Sequence, residues 1–143
     1  MSKVCETKPA RKPTIFPQAF DDRAHNVIHG EFARAGQTDW AVLCSVDRKS
    51  TILVFWNGSE TAPAEIAPAD DINSLQSAGG DSIIYSRAIT AVGADYILSH
   101  FAAYGEGTPP SIDHQGIDDA FVGKASVIRY FRNGRWLQLP GAD

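Results

Sequence analysis

With 143 residues, 43% of them hydrophobic and 21% charged, the chain carries enough apolar material for one sizeable core and does not read as disordered. No apolar run approaches the roughly 18 residues of a membrane span, so no membrane partner is expected. The formal net charge of −4 is unevenly placed: residues 1–19 hold Lys3, Lys8, Arg11 and Lys12 against Glu6, leaving the remainder strongly acidic. Nucleic acid is not expected as a partner of such a body, because phosphate binding needs lysine and arginine in excess.

Residues 1–19 contain Pro9, Pro13 and Pro17 and few apolar residues, which predicts an extended, flexible arm ahead of one globular domain over residues 20–143. The start at Met1 lacks the apolar stretch of a secretory signal. A cytoplasmic location is expected if Met1 is the natural start; if the natural chain begins earlier, a secreted or periplasmic location stays open. The two cysteines, Cys5 and Cys44, have no spacing that suits zinc. Cys44 is expected to be a small buried apolar side chain, with a Cys5–Cys44 disulfide as the alternative in an oxidising compartment.

From residue 27 the pattern becomes that of strands. Residues 27–32 predict a strand, 33–37 a tight loop, and 39–46 with 51–56 a hairpin around a four-residue loop at 47–50. That loop length pairs Val46 with Thr51, Cys44 with Leu53 and Val42 with Phe55. Both faces of the hairpin are apolar, so it should be covered on both sides. Residues 57–81, rich in Ala, Pro, Asp, Ser and Gly, predict turns and one short helix near 70–76. Residues 82–92 predict one long strand, or two split near Ser86 and Arg87.

Over residues 95–104 the period changes: Ile97, Leu98, Phe101 and Ala102 share a helical face, with Asp95 suited to the N-terminus and Gly105 to the stop. Residues 117–121 predict a single helical turn. The chain closes with strands at 125–132 and 135–139 around Asn133-Gly134, a strong hairpin signal because both turn residues take φ > 0. The expected fold is therefore α+β, predominantly antiparallel β sheet with one principal helix at about 95–104.

The segment from Gly30 through Glu31, Ala33, Ala35, Gly36 and Asp39 to Trp40-Ala41-Val42 resembles one FG-GAP or VCBS-type calcium loop. Calcium needs about six to eight oxygen ligands. The positions where the motif places them fall here on Glu31, Ala33, Ala35 and Asp39, and alanine has no side-chain oxygen. No tight calcium binding is expected, and Asp39 is instead predicted to accept loop N–H groups and fix the turn. One such motif in a chain this short excludes a propeller. Residues 36–45, 114–126 and 134–143 are further similar to a family of small uncharacterised bacterial proteins, a resemblance that implies no particular activity.

Two clusters are candidate sites. In the first, a helical turn would bring His114 and Asp118 to one side, with Asp119 and Lys124 near, a set suited to a divalent metal or to acid–base work. A loop held by Asx turns is the competing expectation. The second lies on the last hairpin. A two-residue turn pairs Arg132 with Arg135, Phe131 with Trp136 and Arg129 with Gln138. Arg129, Phe131, Trp136 and Gln138 then share one face suited to a planar ligand or a protein interface.

The chain contains no GxSxG, HExxH or SxxK motif and no cofactor signature, so no cofactor is expected. The leading expectation is a non-catalytic binding or protein-interaction domain for a small molecule or protein, with a homodimer through the Phe131/Trp136 face as one form. The alternative is a small metal-dependent or acid–base hydrolase centred on His114, Asp118 and Asp119.

Overall fold

The computed structural model describes residues 26–77 and 79–143. The predicted arm at residues 1–19, and Cys5 within it, lie outside the described residues. The rest is predominantly antiparallel β with one main helix. No helix of the described chain is long and apolar enough to cross a membrane.

Four strands form the first sheet, in sequence order: β1 (Val27–Gly30), β2 (Asp39–Val46), β3 (Lys49–Phe55) and β4 (Ala64–Asp70). A two-stranded ribbon of β5 (Leu75–Ser77) and β6 (Ile83–Tyr85) follows. The second sheet is again a meander, β7 (Arg87–Val92), β8 (Gly116–Phe121), β9 (Ala125–Arg132) and β10 (Arg135–Pro140). The break at Ser86 between β6 and β7 matches the second of the two sequence expectations, two strands rather than one long one.

Strand alternation assigns the faces. On β2 and β3, Ala41, Leu43, Ile52 and Val54 are fully buried and join Ala88, Ile89 and Ile117 of the second sheet, together with Phe32, in one core cluster. The opposite face of the first sheet carries Cys44, Leu53 and Phe55, also buried and packed with Val42. Cys44 is disulfide-bonded rather than a plain apolar side chain, while its burial at 3% exposure is as predicted.

The β2–β3 hairpin is tighter than predicted. Asp47 and Arg48, at φ 52° and 63°, make a two-residue turn, and Val46 pairs with Lys49 rather than Thr51. Two consecutive residues at positive φ give the primed turn whose twist matches that of the strands, and this outweighs the absence of glycine. The register moves by two, an even number, so every side chain keeps its predicted face.

Two elements were read differently from sequence. Residues 64–70 form edge strand β4 instead of turns, broken by a bulge in which Ala67 and Pro68 together oppose Thr51. Proline is tolerated there because a bulge on an edge strand needs no ladder N–H. Residues 117–121 lie in β8, not in a helical turn. β8 pairs with both β7 and β9, and two sheet ladders outweigh any local helical preference. The short helix expected near 70–76 is a 3-10 turn at Asp71–Ser74.

The principal helix α1 (Ala94–Tyr104) is where predicted and packs Ile97 against Ile128, Tyr130 and Leu139 on the outer face of the second sheet. It ends at Gly105, whose φ of −81° is ordinary; a Cβ there would approach the Phe101 ring and carbonyl to 2.7 Å, so the stop requires close approach rather than a left-handed backbone. The last hairpin has the predicted register, Arg132 to Arg135 and Phe131 to Trp136, around Asn133 and Gly134 at φ 51° and 78°.

Candidate functional site

The β1–β2 loop is organised by one carboxylate. Asp39, fully buried at the start of β2, accepts the N–H groups of Phe32 at 3.0 Å and Ala33 at 2.9 Å through Oδ2. Its Oδ1 accepts the Gln37 side-chain amide at 2.7 Å and the Asn57 N–H at 2.8 Å. Both oxygens are thus committed to the protein, each accepting two hydrogen bonds. Gly30 belongs to the same framework: a Cβ would meet Gln115 Oε1 at 2.8 Å, the atom that accepts the Glu31 N–H.

The first predicted cluster does not converge. Asp118 and Asp119 are neighbours on a strand, so they point to opposite faces of the second sheet. His114 lies before β8, 8% exposed, with Nδ1 3.0 Å from the Gln115 carbonyl, which places the ring proton on Nδ1. Lys124 is exposed in the β8–β9 turn, where its backbone N–H donates to Phe121. Among the described residues no group of three or more His, Cys, Asp or Glu is placed to hold a metal ion.

Asp118 faces outward, toward α1. Burial pushes its carboxyl above the ordinary carboxylate range; the Ser126 hydroxyl opposes this, Asp119 adds to it, and His100 on α1 opposes it. Its Oδ1 is buried with no hydrogen-bond partner.

Asp119 faces the first sheet and is the centre of a buried ionic cluster. Arg87 of β7 grips it with both ends of a fork, Nε to Oδ1 at 2.9 Å and Nη2 to Oδ2 at 2.9 Å. Arg129 of β9 donates from Nε to Oδ2 at 3.0 Å. Arg87 also crosses to the first sheet, donating to the Ser50 carbonyl and hydroxyl and, at 2.8 Å, to the Ala67 carbonyl. Tyr85 donates to the same Ser50 hydroxyl. Burial alone would release the Arg87 proton more easily, but the hydrogen bond and charge of Asp119 more than offset this, and its affinity for the proton is raised.

Ala67 supplies its carbonyl from an uncommon conformation, φ 54°, at the β4 bulge. A residue with a Cβ in this region carries about 1–2 kcal/mol of strain. The bulge therefore presents a carbonyl to Arg87 at an energetic cost.

Around this cluster lies a cleft of about 290 Å³ between β4 and the β7–β9 strands. Its floor is Arg87, Asp119 and Arg129; Ala67, Pro68, Phe121 and Val127 contribute apolar wall. Asp119, expected in a catalytic cluster, and Arg129, expected at an interface, are thus brought together in one place. Gln138 joins them, accepting from Arg129 Nη1 at 3.1 Å.

Phe131 and Trp136 occupy the inner face of the second sheet beyond the cleft. Trp56, following β3, stacks on Trp136 at 5.8 Å and 20° and tilts against Phe131 at 4.8 Å. The aromatic pair is therefore engaged with the first sheet, and the Trp136 Nε1 is buried without a partner.

Arg87, Ser50 and Ala67 were not singled out from sequence. The available signal was strand alternation, which separates Asp118 from Asp119 and leaves a buried carboxylate in need of a cationic partner. Compared with known proteins, the chain matches no family model, no curated protein and no solved structure.

Proposed function

We propose that this chain is a non-catalytic binding domain whose small-molecule ligand occupies the cleft between β4 and the β7–β9 strands. The observation that carries the reading is the combination of an interlocked Arg87–Asp119–Arg129 floor with apolar walls. A few fixed polar groups inside an otherwise apolar concavity are the usual form of a small-ligand site, and about 290 Å³ lies just below the usual range of roughly 300–1,000 Å³, which suits only a small ligand.

Two further features favour binding over catalysis. Among the described residues no His, Cys or Lys lines the cleft, and its carboxylate, Asp119, has both oxygens engaged by guanidinium groups. An arginine does not exchange its proton near neutral pH, so this lining offers no poised general acid or base. The strained Ala67 lies on the cleft wall, and strained backbone gathers at ligand-contacting positions.

The test is nuclear magnetic resonance mapping of the isotope-labelled protein with a panel of anionic, neutral and cationic fragments. The reading expects at least one class to move the amides of Ala67, Ala69 and residues 119–127 together. If no fragment perturbs those amides at millimolar concentration, the cleft is not a binding site.

A further inference from the structure

We infer that the cleft selects a small organic monoanion, a carboxylate on an apolar body, captured by Arg129; this rests on the cleft being the binding site. The two arginines have different roles, as their donor inventories show. A guanidinium has five N–H groups. Those of Arg87 are all accounted for by Asp119, Ser50 and Ala67, and its side chain is 6% exposed. Arg129 commits Nε to Asp119 and Nη1 to Gln138, and its side chain is 20% exposed. No other acceptor for it exists among the described residues. Arg129, which lines the cleft, thus keeps uncommitted donors that Arg87 lacks.

Charge points to the same class. Arg87, Asp119 and Arg129 are the charged residues of the lining, and two guanidiniums against one carboxylate leave a single positive charge. This surplus sits in a chain whose formal net charge is −4, so the cleft is a local exception. One surplus charge matches a monoanion. A dianion such as phosphate would bring a second negative charge beside Asp119 without a cation to meet it.

Asp119 also orients the reader. By accepting from Arg129 Nε it fixes the guanidinium plane, and Gln138 holds Nη1 from the other side, so the free N–H groups are presented without further ordering. Pro68, Phe121 and Val127 offer contact to the ligand's apolar part.

Calorimetric titration of the wild-type chain at fixed ionic strength, with benzoate, its neutral counterpart benzamide, and inorganic phosphate, tests the inference. Benzoate is expected to bind about tenfold or more tightly than benzamide and more tightly than phosphate, the difference of one charge-assisted contact. Arg129→Gln is expected to reduce benzoate affinity to the level of benzamide. Equal binding of benzoate and benzamide in the cleft, or tighter binding of phosphate, overturns the monoanion inference and leaves the binding domain standing. The wild-type comparison decides this even if Arg129→Gln does not fold. Silence of every fragment at the cleft amides removes the binding reading itself.

Discussion

Arg87 and Asp119 meet as a two-pronged ion pair, both contacts 2.9 Å, with side chains 6% and 7% exposed between the two sheets. Through Arg87 the pair also binds the first sheet at Ser50 and Ala67, so it joins the layers and forms the cleft floor at once. Removing one member of a buried pair leaves the other charge uncompensated, which costs about 3–5 kcal/mol. Asp119→Ala is expected to lower stability by that amount in urea denaturation. The double change Arg87→Met with Asp119→Leu should recover part of the loss, because no buried Arg87 is left stranded, while Arg129, 20% exposed, still loses its Asp119 partner.

Asp39→Ala should be comparably severe for a different reason. Four donors, three of them backbone N–H groups, lose their acceptor, one in a buried and three in part-buried positions. Each unsatisfied buried donor costs about 1–3 kcal/mol, and water entering the space left by the carboxylate offsets part of that. A loss of about 3 kcal/mol or more is expected, with hydrogen exchange at Phe32, Ala33 and Asn57 accelerated before that of β2. Asp39→Asn should lose less, because one oxygen acceptor remains.

These two carboxylates mark what was legible in the sequence and what was not. Asp39 could be read because three of its four partners are local: a loop of fixed length with one acidic residue at its end leaves few places for that side chain to go. The last hairpin and α1 were legible for the same reason, through Asn133-Gly134 and the spacing of Ile97 and Phe101. The cleft was not, because Asp119 and Arg87 are 32 residues apart and meet only once β7 and β8 pair. β4 was hidden by composition: Ala67 and Pro68 read as a turn, and their acceptability in a strand depends on β4 being an edge with a bulge. Reading residues 117–121 as helical obscured the alternation that separates Asp118 from Asp119.

Asp118 gives a pH-dependent prediction. Its carboxyl is held above the ordinary range, first by burial and then by Asp119, against Ser126 and His100. The folded chain therefore holds this proton more tightly than the unfolded chain does. The resulting stabilisation is present below the unfolded value of about 4 and is lost as pH rises through the folded value. Asp118→Asn should be more stable than wild type at pH 7, and the advantage should shrink as pH falls toward 4. Denaturation midpoints across that range check both the sign and the slope.

The bulge offers a test of strain. Ala67→Gly removes a Cβ at φ 54° while keeping the carbonyl that receives Arg87. Relief of about 1–2 kcal/mol, less the extra entropy of glycine in the unfolded chain, predicts a gain of up to about 1 kcal/mol. Thermal denaturation of the variant reads this directly.

The most direct test of the cleft as a carboxylate-binding site is a crystal of the chain soaked in benzoate. The account predicts the carboxylate within hydrogen-bonding distance of the Arg129 guanidinium and the ring against Pro68, Phe121 or Val127. Benzoate seated elsewhere, with the cleft holding only solvent, would contradict it.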